Sequence, residues 1–245
     1  MGPHTVVECR RALSPSGLPD MDYALNPYSG CSHGCVYCYA PEVTRSPWEG
    51  WRAPRVKSNI VSRLSMELPN VSGVIGIGTV TDPYQPVERK YMLTRRCLEV
   101  LKAHSFEIHM HTKSDLILRD LDLLAEMPGT VGLTVTGISE RHSKILEPGA
   151  PLPARRFSAM RSLKDAGVDV YALVGPVLNH LEGHEVEFVD AVAGTGVGTM
   201  YLDPLNDRPL LSARVSRRGY RGSPKALAEI RRLGASVGIR VLDVF

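Results

Sequence analysis

The stretch GCSHGCVYCYAPE, residues 30–42, places Cys31, Cys35 and Cys38 within eight positions, beside one histidine and two tyrosines. It follows a short extended segment, so it reads as the loop after a first strand. Beyond it, apolar β-branched runs at 74–80, 106–112, 131–136, 170–177, 199–205 and 239–244 predict further strands. Stretches with helical spacing lie around and between them, at 59–68, 92–103, 117–127, 153–166, 185–193 and 224–236. In RRFSAMRSLKDAG, Phe157, Met160 and Leu163 share one face and Gly167 stands where a helix would end. Such alternation implies parallel strands joined by right-handed crossovers. About six or seven βα units fall short of the eight of a closed barrel. The predicted fold class is therefore α/β, a partial (βα)6 TIM-like barrel, with an open doubly wound sheet as the alternative. In both, ligands gather at the carboxyl ends of the strands, where the cysteine loop lies.

A chain of 245 residues, 43% of them hydrophobic, can bury a sizeable core. We expect a single domain over 1–245, with an N-terminal extension over 1–22 and a basic loop over 206–223 above the barrel mouth. No window approaches the roughly 18 apolar residues of a membrane span, and the N-terminus lacks an apolar leader core. A cytoplasmic protein without a membrane partner is expected.

The cysteine count is five. Cys97 shares a helix face with Leu93, Val100 and Leu101 and reads as a small core residue; Cys9 is assigned no role. For Cys31-x3-Cys35-x2-Cys38, a thioredoxin-like pair would leave Cys31 unexplained. A zinc site would recruit His33 as fourth ligand, although zinc ligands more often come as two separated pairs. An iron–sulfur cluster suits closely spaced thiolates on one loop. Three cysteines for four irons leave one iron open to a small molecule.

The loop, with an aromatic residue before its last cysteine, resembles that of the radical S-adenosylmethionine superfamily. NPYSGCSHGCVYCYA, GTVTDPYQPVERKYMLTRRCLEVL, HTKSDLILRDLDLL and EPGAPLPARRFSAMRSLKDAG occur in that order and are similar to the spore photoproduct lyase-like subgroup, also labelled DNA repair photolyase-like. The resemblance implies a [4Fe-4S] cluster on Cys31, Cys35 and Cys38 and bound S-adenosylmethionine. It also implies a 5′-deoxyadenosyl radical, lyase-like catalysis, and a reducing electron donor of flavodoxin or ferredoxin type. By the same resemblance Tyr37 lies against the adenine and Lys113 meets the methionine carboxylate.

The strand patterns add candidates. In FEIHMHTK, His109, His111 and Lys113 alternate with Phe106, Ile108 and Met110, which puts three basic groups on the face opposite the helices. Gly132, Thr134 and Thr136 alternate likewise with Val131, Leu133 and Val135, and the threonine hydroxyls suit ribose or the methionine moiety. Thr79 and Arg156 complete the expected cofactor contacts, Arg156 together with Glu147 and Arg155 either above the barrel or as an exposed ion pair. Expected substrate contacts are Asp82, Gln85, His111, Tyr201, Arg217 and Arg218.

In the lyases that name this subgroup, the cysteine that returns a hydrogen atom stands three residues before the aspartate; this chain has Thr79 there. The chain is also shorter at both ends. Repair of the thymine dimer lesion by that route is therefore not expected, and Tyr28, Tyr39, Tyr84 and Tyr201 remain open as relays. Segment 206–223 concentrates arginines, and Trp48 and Trp51 lie among Arg45, Arg52 and Arg55. These can serve a nucleic acid or a phosphorylated substrate; the tryptophans can equally cover the cluster. Three function classes stay open. One is a radical enzyme acting on a nucleic acid or nucleotide, another a radical enzyme acting on a peptide, protein or small metabolite, and the last a non-catalytic iron–sulfur or zinc protein.

Overall fold

The six β-branched and apolar runs and the short extended segment before the cysteine loop line up as parallel strands in the order in which they occur along the chain. The computed structural model describes residues 3–244. The chain opens with β1 (Thr5–Val7), β2 (Leu13–Pro15), β3 (Tyr23–Leu25) and β4 (Tyr28–Ser29), then α1 (Ala40–Val43), α2 (Trp48–Trp51), β5 (Arg55–Lys57) and α3 (Ile60–Glu67). It continues through β6 (Ile75–Ile77), α4 (Glu88–Tyr91), α5 (Leu93–Ala103), β7 (Ile108–Thr112), α6 (Leu121–Leu124), β8 (Gly129–Val135), α7 (Glu140–Leu146) and α8 (Pro153–Asp165). It ends with β9 (Val170–Val177), α9 (Glu185–Ala193), β10 (Thr199–Pro204), α10 (Pro209–Ser216), α11 (Pro224–Ser236) and β11 (Arg240–Asp243).

The eight-stranded sheet has the order β11-β10-β9-β8-β7-β6-β3-β2, in which only β2 runs antiparallel to its neighbour β3. A doubly wound sheet would reverse its strand order at a switch point. No reversal occurs here, so the chain has the α/β architecture of a partial TIM-like barrel. β2 and β11 are unpaired edges of that sheet, which leaves the barrel open.

Residues 3–22 are more than an extension: β1 pairs with β5 in a second, three-stranded sheet that also holds β4, and β2 edges the barrel. The helix expected over 117–127 is instead a 3-10 segment, Asp115–Asp120, followed by α6. Within 206–223, Pro209–Ser216 form α10, which buries Leu211 and Val215, so the segment is not a loop throughout.

The core lies between strands and helices. Ile108 and Met110 of β7, and Val131, Leu133 and Val135 of β8, pack with Met160 and Leu163 of α8, each at most 2% exposed. Burial of each such side chain contributes roughly 1.5–3 kcal/mol. Cys97 belongs to the same cluster. Among the described residues no helix is long and apolar enough to cross a membrane.

Candidate active site

The cysteine loop is anchored from three directions. Gln85, fully buried, donates from Nε2 to Gly30 O (3.0 Å) and Thr81 Oγ1 (3.0 Å) and accepts from Ser32 N (2.9 Å). From the α7–α8 connection, Gly149 N donates to His33 O (2.9 Å), while Val36 N donates to Leu146 O (2.8 Å). Glycine is required at 149, because a Cβ there would stand 2.3 Å from Ser32 O. From α10, Arg214 donates to Val36 O (3.2 Å) and Cys38 O (2.7 Å).

Asp82 ties this anchor to β7. It accepts from Tyr84 N (2.9 Å), Thr112 Oγ1 (2.7 Å) and Lys113 N (2.8 Å), and its Oδ2 lies 3.3 Å from His33 Nδ1, off the hydrogen-bond direction. Burial alone would raise its carboxyl, but His33 and these donors bring it down to about 2. Asp82 and Gln85, expected to meet substrate, are thus engaged as buried fasteners of the loop.

The three loop cysteines are free thiols, Cys31 and Cys35 buried and Cys38 partly so. Burial pushes all three upward, Cys31 well above the ordinary range and Cys35 to about 12; the Cys38 thiolate would also raise Cys31 and Cys35. Among the described residues no three His, Cys, Asp or Glu side chains converge on one ion position. A zinc ion needs all its ligands within about 2.3 Å, whereas an iron–sulfur cluster takes each thiolate on a different iron. His33, the would-be fourth zinc ligand, is turned to Asp82. Three thiolates on one loop are a donor set that an iron–sulfur cluster can take, each on a different iron. Trp51 Nε1, buried without an oxygen or nitrogen partner, lies beside Cys38.

Behind the loop, the Tyr37 hydroxyl donates to Glu147, which also pairs with Arg156. Arg156 is fully buried and further donates to Pro151 O (2.8 Å) and Thr134 O (3.2 Å). Of the two readings of Glu147 and Arg156, the exposed ion pair is corrected: the pair is internal, and Arg156 orients Tyr37 through Glu147 with no exposed face of its own. Burial alone would raise the Glu147 carboxyl, but Arg156 and then Lys113 hold it below the usual range. Arg155 pairs instead with Asp115 at the surface, at 2.7 Å from Nε.

Lys113 is different. Its Nζ lies 5.5 Å from the centre of the Tyr37 ring and has neither hydrogen-bond nor ion-pair partner among the described residues. The Thr134 and Thr136 hydroxyls are likewise unpartnered, although Thr136 O contacts His180 Nε2 at 2.8 Å. Thr79 is engaged: its hydroxyl accepts from Asn26 Nδ2 (3.0 Å) and its carbonyl from the Tyr39 hydroxyl (2.8 Å).

Asp203, two residues beyond Tyr201 on β10, escaped the sequence reading although the period of two that placed His111 and Lys113 would have found it. Burial pushes its carboxyl up to about 6, offset by Lys113. Arg208, whose charge is felt at the Tyr39 phenol, has a buried Nε without a partner. Among the described residues, Lys113, Asp203 and Arg208 are charged groups near Tyr37 or Tyr39 without an ion-pair partner.

The remaining expected contacts lie elsewhere. His109 and His111 both meet the Tyr171 hydroxyl, at 2.6 and 2.5 Å, and burial lowers both imidazoles, His111 to about 3. Burial thus disfavours the charged form of both imidazoles. Tyr201 packs on Tyr171, with ring centres 4.8 Å apart, and lines a cavity of about 310 Å³ with Glu107, Thr130, Asp169, Thr199 and Arg240. Those residues stand at the amino ends of the strands, away from the cysteine loop. Arg217 and Arg218 are exposed beyond the end of α10. Trp51 is 4% exposed, and Trp48 lies under the Arg214 guanidinium at 4.3 Å, so both tryptophans cover the loop.

A family model described as Radical SAM superfamily matches residues 25–192, more than half of the 245-residue chain. The chain is 29% identical to an uncharacterized protein of Methanocaldococcus jannaschii, over 82% of this chain and 76% of that protein. It is 33% identical to an uncharacterized protein of Mycobacterium tuberculosis over 71% of this chain, spanning only 56% of the relative. In three dimensions it is similar to a spore photoproduct lyase double mutant with bound AdoMet and dinucleoside spore photoproduct, with TM-score 0.73 and 15% identity over 98% of this chain and 81% of the other.

Proposed function

This chain belongs to the radical SAM superfamily, and from that premise we propose that it reductively cleaves S-adenosylmethionine at a [4Fe-4S] cluster held by Cys31, Cys35 and Cys38. When bound, the cluster and S-adenosylmethionine supply a 5′-deoxyadenosyl radical. The observation that carries the reading is the ammonium of Lys113, unpaired, over the Tyr37 ring and close enough to Cys35 and Cys38 to lower both thiols. A half-buried cation without a hydrogen-bond or ion-pair partner fits a carboxylate, here that of the methionine moiety. Thr134 and Thr136 offer free hydroxyls to the same ligand, and Glu147 with Arg156 fixes Tyr37 as its aromatic wall. Tyr37, Trp48 and Trp51 keep water from the cysteine loop.

The substrate we propose is a nucleic acid or nucleotide, met by Arg208 and Asp203. An arginine fork suits a phosphate, and a carboxyl with a value of about 6 is able to give or take a proton near neutrality. The spore photoproduct lyase likeness supports this class. Thr79 stands where a thiol would be needed to return a hydrogen atom, so the proposed reaction is lyase-like without being the same repair.

The test is the electron paramagnetic resonance spectrum of the reconstituted, reduced chain with and without S-adenosylmethionine. A ligand-induced change that Lys113→Ala weakens is expected; an unchanged spectrum at saturating cofactor would refute the open-iron reading.

A further inference from the structure

We propose that the cavity of about 200 Å³ at the open edge of the barrel is a binding subsite for a terminal phosphate, with Lys57 and Arg11 as its two cations. It deepens the substrate reading above, on which it rests only for the molecule to which the phosphate belongs. The register Leu13↔Leu25 and Ser14↔Ala24 pairs β2 with β3, and Leu13 and Leu25 enter the core. Ser14 and Ala24 therefore share the opposite face, which looks into the barrel, and they line the cavity with Asn26, Arg11 and Lys57. Lys57 Nζ donates to Asn26 O (2.8 Å), Asn26 Nδ2 donates to Thr79 Oγ1 (3.0 Å), and Thr79 O accepts from the Tyr39 hydroxyl (2.8 Å). The cavity is thus tied through Asn26 to the loop after β6 and to the residue beside Cys38. Because β2 and β11 end the sheet, it stands on one side of the barrel's opening; Arg208, after β10, stands on the other.

The charges around the cavity call for an anion. Lys57 is half-buried, and among the described residues it has no carboxylate partner; its hydrogen bond goes to a neutral carbonyl. Burial lowers its ammonium, and the charge of Arg55 lowers it further. Among the described residues Arg10, Arg11, Arg55 and Arg63 also lack ion-pair partners, and all four are exposed. The Glu67 carboxylate is engaged elsewhere: it accepts from Ala12 N and Leu13 N, at 2.9 Å each, and holds β2 in place. A terminal phosphate matches the site better than a carboxylate. It carries about −1.5 to −2 charges near neutrality, enough to balance an ammonium and a guanidinium together, and offers separate oxygens to each. A carboxylate would leave one of the two cations uncompensated.

The test is calorimetric titration of the anaerobically reconstituted full chain with inorganic phosphate, and with acetate as the comparison anion. The wild type should bind phosphate at concentrations where acetate does not bind. Lys57→Gln keeps a donor for Asn26 O and removes the charge, whereas Arg11→Glu changes an exposed side chain that the fold does not need. Each should weaken phosphate by at least about tenfold. Lys164→Gln, on the exposed side of α8, should bind phosphate as the wild type does. Competition against bound phosphate then identifies the source. Displacement by a nucleoside monophosphate alone makes the substrate a free nucleotide, and displacement by 5′-phosphorylated but not unphosphorylated oligothymidylate makes it a nucleic-acid end. If neither displaces phosphate, the nucleotide and nucleic-acid reading of the substrate fails, while the Lys57 and Arg11 variants still decide the subsite. Absence of phosphate binding in the wild type would overturn the proposal, as would equal binding of acetate, unchanged phosphate binding in both variants, or equal displacement by unphosphorylated oligothymidylate.

Discussion

The Tyr37 hydroxyl donates to Glu147, 110 residues away in sequence, and so joins the cysteine loop to the α7–α8 connection. Because Arg156 is fully buried against the same carboxylate, Glu147→Ala leaves an uncompensated internal cation. It should cost about 3–5 kcal/mol in denaturant unfolding of the apo-protein. Tyr37→Phe should cost only about 1–3 kcal/mol, since it removes one hydroxyl and keeps the ion pair. Equal losses for the two variants would contradict this division.

Gly149 faces Ser32 O at a distance that admits no side chain. Gly149→Ala must push the loop backbone, so the iron bound after reconstitution should fall at least several-fold while far-ultraviolet circular dichroism of the helices is retained. Full iron content in this variant would show that the loop tolerates displacement.

A similar close approach occurs inside the barrel, where a Cβ at Gly132 would lie 2.6 Å from the Tyr171 ring. Gly132→Ala should destabilise by about 1–3 kcal/mol. Shortening the ring in Gly132→Ala with Tyr171→Leu should recover part of that loss, which a double-mutant cycle measures.

Two carboxyls carry opposite pH signatures. Asp82 sits at about 2 when folded, below its unfolded value of about 3.9, so its contribution is fully present above about pH 4 and disappears as pH falls through 2. Asp82→Asn should therefore lose on the order of 2 kcal/mol at pH 7 and little at pH 2. Asp203 is raised to about 6 by burial, which means that ionising it weakens the fold as pH climbs through 6. Asp203→Asn should become more stable than the wild type above pH 6 and lose that advantage below about pH 4. Urea unfolding across pH checks both signs.

The strands were legible because each barrel strand alternates or runs β-branched, and Ile108, Met110, Val131 and Leu133 all face the helices as their spacing predicts. The cysteine loop was legible from its own spacing. What the sequence hid were long-range partners. Gln85 and Asp82 look like free polar residues until Gly30, Ser32 and Lys113 are brought beside them by the fold. The arginines of 206–223 look like one basic patch, yet Arg214 turns inward to carbonyls nearly 180 residues earlier in the chain, while Arg217 and Arg218 point to solvent. His109 and His111 face inward as their register requires, but both meet the hydroxyl of Tyr171, from another strand, and burial disfavours their charged forms.

The central claim is that three thiolates hold a cluster whose open iron activates S-adenosylmethionine. Its most direct test is 5′-deoxyadenosine formed by the anaerobically reconstituted chain with S-adenosylmethionine and dithionite, quantified by mass spectrometry beside Cys31→Ala, Cys35→Ala and Cys38→Ala. The account predicts product from the wild type and none above background from any of the three variants. A reconstituted cluster that binds S-adenosylmethionine yet yields no 5′-deoxyadenosine, or equal product after loss of a loop cysteine, would contradict it.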